Sequence, residues 1–145
     1  MVLMLIYSMY LLHIIFMSGC KMSFVKSYSE ILQEIHRRCE ANGGCLVWWG
    51  ARSGSGYGYM RVKVLGGNRG MVESVVMGVH KLALLCTLNR MELPDLCTSS
   101  HRCGRKLCCE PSHLSAEPDW INQRRKLCME RWICSGHENY QHCIL

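Results

Sequence analysis

The stretch Ser100-His101-Arg102-Cys103-x4-Cys108-x4-His113-Leu114 decides how this chain is read. It sets two thiols and an imidazole at metal-ligand spacing. Structural zinc sites take such sulfur and nitrogen donors, usually four in a tetrahedron. Cys103, Cys108 and His113 supply three of them. Glu110-Pro111, between Cys108 and His113, stiffens a tight knuckle because the proline ring fixes its own φ. His101 is left over. A structural zinc does not need it, and a spare imidazole beside a metal knuckle is where an argument for catalysis begins.

The fourth ligand must come from elsewhere. Cys45 is the choice: it opens an apolar strand just after Gly43-Gly44, and a ligand so distant would tie that strand to the knuckle. Cys97 and Cys109 are local alternatives, with Cys109 pointing away if Cys108 points in. A second set follows, Cys128-x5-Cys134-x2-His137-x5-Cys143, with His142 as a rival for the last place. Few large apolar residues follow Leu114, so the C-terminal third cannot build a core of its own. Zinc would contribute the missing folding free energy, on the order of 10 kcal/mol per site.

The bulk composition agrees. The chain has 145 residues, suited to one domain, with 11 cysteines and a formal net charge of +6. The cysteine count is odd, and from Cys97 onward the cysteines are interleaved with His101, His113, His137 and His142. Disulfide frameworks do not need histidine, whereas zinc sites do. A secreted disulfide-rich protein is therefore the competing reading. The positive charge suits a polyanionic partner. Met1 to Gly19 carries no Lys, Arg, Asp or Glu. It reads as a signal peptide, an anchor or a short transmembrane helix, though it lacks the basic start of a signal peptide. Met17-Ser18-Gly19-Cys20 loosely matches a lipobox, and Met22-Ser23-Phe24 offers an alternative start. The preferred reading sets residues 1–21 outside the fold, as a targeting segment or a misassigned start. It leaves residues 22–145 as one domain, expected to be intracellular and not membrane-bound.

Along that domain, Ser27 to Cys39 predicts a helix, capped by Ser27 with Glu30 or by Ser29 with Gln33. Ala41-Asn-Gly-Gly44 stops it. Cys45 to Trp49 predicts a strand, and Ala51 to Gly56 a loop. Tyr57 to Val64 alternates, with Tyr57, Tyr59, Arg61 and Lys63 on one face and Met60, Val62 and Val64 on the other. Gly66 to Gly70 predicts a turn, and Met71 to Val76 a return strand. The result is a hairpin with a basic, aromatic face, which reads equally as an ordinary solvated sheet face or as a ribbon for a DNA groove. Gly78 to Asn89 predicts a helix whose His80 packs, and Pro118 to Lys126 predicts another. His101 at a strand end and Asn122 on that last helix can face each other. Between them they could hold a water and a hard divalent ion, a compact arrangement for phosphodiester hydrolysis.

Cys97-Thr-Ser-Ser-His101-Arg-Cys103-x4-Cys108-x2-Pro111-x-His113-Leu114, with Asn122 and Cys128 downstream, resembles the His-Cys box homing endonucleases, members of the ββα-metal or His-Me finger nucleases. The resemblance is strongest over residues 97–128 and runs more loosely from Cys45 to Cys143. It implies a small zinc-stabilised α+β fold with an antiparallel DNA-binding β-ribbon and few helices. It implies a DNA endonuclease with His101 as general base and Asn122 as side-chain ligand of one catalytic magnesium. One structural zinc would be held by Cys45, Cys103, Cys108 and His113, and another by Cys128, Cys134, His137 and Cys143. An arginine from the sheet is expected near the scissile phosphate, Arg69 with Arg61 as rival. Arg52, Tyr57, Tyr59, Arg61, Lys63 and Arg69 are the expected contacts to double-stranded DNA, and the site of action would be nuclear in a eukaryote. The second zinc set departs from the family's internal spacing. The chain also stops two residues after Cys143, short of the long tail through which the best-known such enzyme dimerises. A homodimer would have to form through another surface, and a monomeric nickase is the alternative. A DNA-binding module without catalysis is the second functional reading.

Overall fold

The computed structural model describes residues 22–66 and 70–145. The segment 1–21 and Arg69 lie outside the described residues. In chain order come β1 (Ser23–Phe24), α1 (Tyr28–His36), β2 (Cys39–Asn42), β3 (Cys45–Trp48), β4 (Tyr59–Gly66), β5 (Met71–Gly78), α2 (Val79–Thr87), β6 (Cys97–His101), a single 3-10 turn (Pro111–His113), β7 (Leu114–Pro118) and α3 (Asp119–Arg131). The strands form three small antiparallel sheets, β1-β4-β5, β2-β3 and β6-β7. The expected small α+β fold is what is seen.

Helix α1 starts on a reciprocal cap. The Ser27 hydroxyl accepts from the Glu30 amide at 3.2 Å, and the Ser27 amide donates to the Glu30 carboxylate at 2.8 Å. Ile31 and Ile35, one turn apart, are buried. The helix ends at His36 rather than running to Cys39. Cys39 to Asn42 instead pairs with Cys45 to Trp48 across Gly43 and Gly44, at φ +55° and +77°. Both glycines are left-handed, which a two-residue hairpin turn requires and which glycine adopts without steric cost. The expected flexible stop is thus a tight turn, and it delivers Cys45.

The β4–β5 ribbon alternates as anticipated. Met60, Val62 and Val64 are buried, whereas Tyr59, Arg61, Lys63 and Leu65 face out. The register sets Arg61 opposite Val76, Lys63 opposite Ser74 and Leu65 opposite Val72. Tyr57 is not part of this face, because the strand begins two residues later. The inner face packs with Ile31 and Ile35 of α1 and with Val79, Leu82 and Ala83 of α2, forming the core. β5 continues to Gly78, which serves as the N-cap of α2. α3 extends to Arg131, five residues beyond expectation, and stops where Trp132 turns left-handed at φ +53°. Among the described residues, no helix is long and apolar enough to cross a membrane.

Candidate metal centres and catalytic cleft

Backbone pairing brings the first ligand set together. Val47 of β3 bridges Cys108, the Cys109 amide donates to the Leu46 carbonyl at 2.7 Å, and the Trp48 amide donates to the Leu107 carbonyl at 2.9 Å. The strand carrying Cys45 is thereby zipped to the knuckle. The β6–β7 hairpin holds the rest, with His101 opposite Leu114 at its closed end and Cys103, Cys108 and His113 in the long connection that closes it.

The four donor atoms of Cys45, Cys103, Cys108 and His113 lie within 4.8 Å of one another. Cys45 Sγ stands 3.8 Å from Cys103 Sγ and 3.5 Å from His113 Nδ1, and Cys108 Sγ stands 3.5 Å from that nitrogen. Tetrahedral zinc, at about 2.3 Å from sulfur and 2.0–2.1 Å from nitrogen, sets S···S near 3.8 Å and S···N near 3.6 Å. The site fits zinc in donor chemistry and in spacing. Cys97 and Cys109 are not in the set, and Cys109 is buried in the apolar core.

Cys128, Cys134, His137 and Cys143 form a second cluster of the same kind. His137 Nε2 lies 3.7, 3.4 and 3.2 Å from the three sulfurs in that order. His142 is outside it, its Nδ1 3.9 Å from Cys134 Sγ, so Cys143 takes the disputed place. Arg102 links the two centres. Its side chain donates to the carbonyls of His142 and Ser112, and its own carbonyl accepts from the Ile144 amide.

Between these centres lies a cleft of about 360 Å³ whose lining includes Tyr57, His101, Lys106, Asn122, Arg125 and Lys126. His101 and Asn122 are thus brought together, as their spacing suggested. His101 Nε2 lies 3.0 Å from the Cys108 carbonyl. A carbonyl can only accept, so Nε2 carries the proton and Nδ1 is the free basic nitrogen. Two aromatic neighbours, themselves 5.4 Å apart, pack against one side of the ring. His80 lies 4.6 Å away centroid to centroid and Tyr57 6.1 Å away, with the Lys106 ammonium over the Tyr57 ring. Burial, reinforced by His101 and Lys81, drives His80 down to about 3, so it stays neutral. Burial likewise holds His101 below the usual imidazole range, although Cys103 and the bond to Cys108 pull the other way.

Asn122, on the first turns of α3, accepts from the Ser100 hydroxyl at Oδ1, 2.9 Å away. One turn later Arg125 makes two 2.7 Å bonds to Glu117 of β7, and both side chains are fully buried. Arg125 also donates to Cys143 Sγ at 3.6 Å, joining the cleft to the second centre. Burial works to raise the Glu117 carboxyl, but the Arg125 guanidinium bound to it holds it below its ordinary value. Arg61 and Lys63 stand on the ribbon's outer face with Tyr59, and Arg52 is exposed in the loop beyond β3, bridged to Gly58. None of these four lines the cleft. Sequence reasoning missed Ser100, Glu117, Arg125, Lys106 and Lys126. The eight-residue spacing of Glu117 and Arg125 carried no signal of its own.

With this arrangement in view, the match to a known family is decisive. Residues 44–144 match the family model described as the zinc-binding loop region of homing endonucleases. The chain belongs to that family, and its fold and clusters make it a nuclease-like zinc module of the His-Cys box type. No curated protein and no solved structure matches it.

Proposed function

We propose that this chain is a DNA endonuclease that hydrolyses phosphodiester bonds with His101 as general base and one magnesium ion held by Asn122. The observation that carries the reading is the cleft itself, where a histidine with a free Nδ1 shares walls with a carboxamide oxygen and two lysines, and among the described residues no carboxylate lines it. Asn122 Oδ1 is a hard, neutral oxygen with a second lone pair, which suits magnesium when phosphate oxygens and water complete the shell. Bound there, magnesium would supply the charge that steadies the phosphate and the leaving 3′ oxygen.

The chain's own residues do the rest. Cys108 C=O holds the Nε2 proton, so Nδ1 takes the proton of the attacking water. His80 and Tyr57 keep the ring from turning, and His80 stays neutral beside it. Lys106 and Lys126 draw the phosphate into the cleft, while Arg61 and Lys63 hold the duplex against the ribbon. Arg69 is the candidate arginine at the scissile phosphate. The two zinc sites hold the β6–β7–α3 frame. Such an enzyme acts where the cell keeps its DNA, the nucleus in a eukaryote.

The test is digestion of a pooled random-sequence DNA library by the zinc-loaded full chain with magnesium, beside His101→Ala. Loss of cleavage by at least ~10²-fold in the variant, at equal zinc content, is the expected result. Cut ends then report nicks or paired breaks, and so whether one copy or two act. The second reading, a DNA-binding module without catalysis, draws on the engagement of Asn122 Oδ1 by Ser100. Binding without cleavage by the folded wild type would establish it instead.

A further inference from the structure

Ser100 is 1% exposed and stands next to His101 in β6, yet it faces no water and no ligand of either metal centre. A buried hydroxyl needs a hydrogen-bond partner, since burying it unpaired is destabilising. Its aligned acceptor is Asn122 Oδ1, 22 residues away on α3, at 2.9 Å. The hydroxyl also lies near the Glu117 carboxylate. That carboxylate is taken up by two short bonds from Arg125, one on each oxygen, and the hydrogen bond the Ser100 hydroxyl makes is the one to Asn122.

A carboxamide has two unlike ends, an oxygen that accepts and an NH2 that donates, and rotation by half a turn exchanges them. Only the oxygen can ligate a cation. We infer that Ser100 is the positioning residue for Asn122: its proton, held on one lone pair of Oδ1, locks the amide with oxygen in the metal-binding orientation and leaves the second lone pair for a hard divalent ion. This rests on the reading of Asn122 as that ion's protein ligand. Partners of this kind typically change metal affinity 10- to 100-fold when removed.

The probe is Mn2+, titrated into the zinc-loaded full chain in the presence of duplex DNA and followed by paramagnetic broadening of the His101 ring protons, which requires no turnover. Ser100→Ala should raise the Mn2+ concentration for half-broadening about 10-fold, with zinc content and melting temperature unchanged. Ser100→Thr keeps the hydroxyl and should stay near wild type. The discriminating variant is Asn122→Asp, because a carboxylate has two equivalent oxygens and no end to choose. In that background Ser100→Ala should have no effect on the midpoint. An unchanged midpoint in Ser100→Ala alone overturns the inference, as does an equal rise in both backgrounds, which would mark a packing role. Absence of broadening in the wild type would strike earlier, at the metal-binding reading of the cleft, and the inference would fall with it.

Discussion

Gly58 lies against the indole of Trp48, and a Cβ built there would stand 2.5 Å from Trp48 Cδ1. Trp48 cannot yield easily, since it is 1% exposed and its Nε1 donates to the Ala51 carbonyl. Gly58→Ala should therefore lower stability by about 1–3 kcal/mol through overpacking. It should also disturb Tyr57, the residue before it, and with it the stack on His101. Thermal unfolding checks the first effect. Gly54→Ala, where a Cβ meets nothing within 4 Å, is the control expected to differ little. At this scale the sequence spoke clearly where chemistry is scarce. His101 stood out because no zinc site could use it. Which nitrogen of His101 carries the proton was not legible, since it depends on the Cys108 carbonyl. Ser100 was equally silent, because a serine in a Thr-Ser-Ser run resembles any surface residue until the helix closes over it.

The Glu117–Arg125 pair is where β7 and α3 clasp. Replacing one partner of a buried pair leaves the other charge unmatched, which costs about 3–5 kcal/mol. Glu117→Gln should show that loss as a reduced denaturation midpoint with both zincs bound. The pair also sets an acid limit. The carboxyl of Glu117 lies lower in the folded state than its unfolded value of about 4.3. Its contribution is therefore fully present above that value and is lost as pH falls through the folded one. Stability measured from pH 6 down to 3 should fall more steeply for the wild type than for Glu117→Gln. Charged residues this far apart in a helix-and-strand segment normally sit in water, so nothing in their spacing announced burial. Element ends obeyed similar tertiary terms. α1 stopped at His36 because the Gly43–Gly44 turn lets Cys39 pair with Trp48, whereas the ribbon, governed by simple alternation, was read nearly in full.

For the molecule as a whole, the ribbon and the metal centres make separable predictions. Arg61 and Lys63 are the only charged side chains on the ribbon's outer face between Tyr59 and Leu65. Replacing both by Ala should weaken duplex binding and reduce the slope of log affinity against log salt by about 0.9 for each phosphate no longer neutralised. Zinc content should not move. Removing zinc with a strong chelator should instead unfold the C-terminal half cooperatively, with a loss on the order of 10 kcal/mol per site. Circular dichroism during chelation and re-addition of zinc reads this directly. The metal ligands were legible at long range because a tetrahedron must be completed, which forced the search back to Cys45.

That long reach has a further consequence. Cys45 and Cys103 are 58 residues apart in the chain, and closing such a loop costs about 4 kcal/mol of chain entropy beyond the constant term. A newly made polypeptide therefore emerges with His101, Asn122 and the ribbon unassembled. The proposed nuclease would gain the ability to cut only once zinc has been captured across the gap. The supply of zinc would then act as a delay between synthesis and the first broken strand.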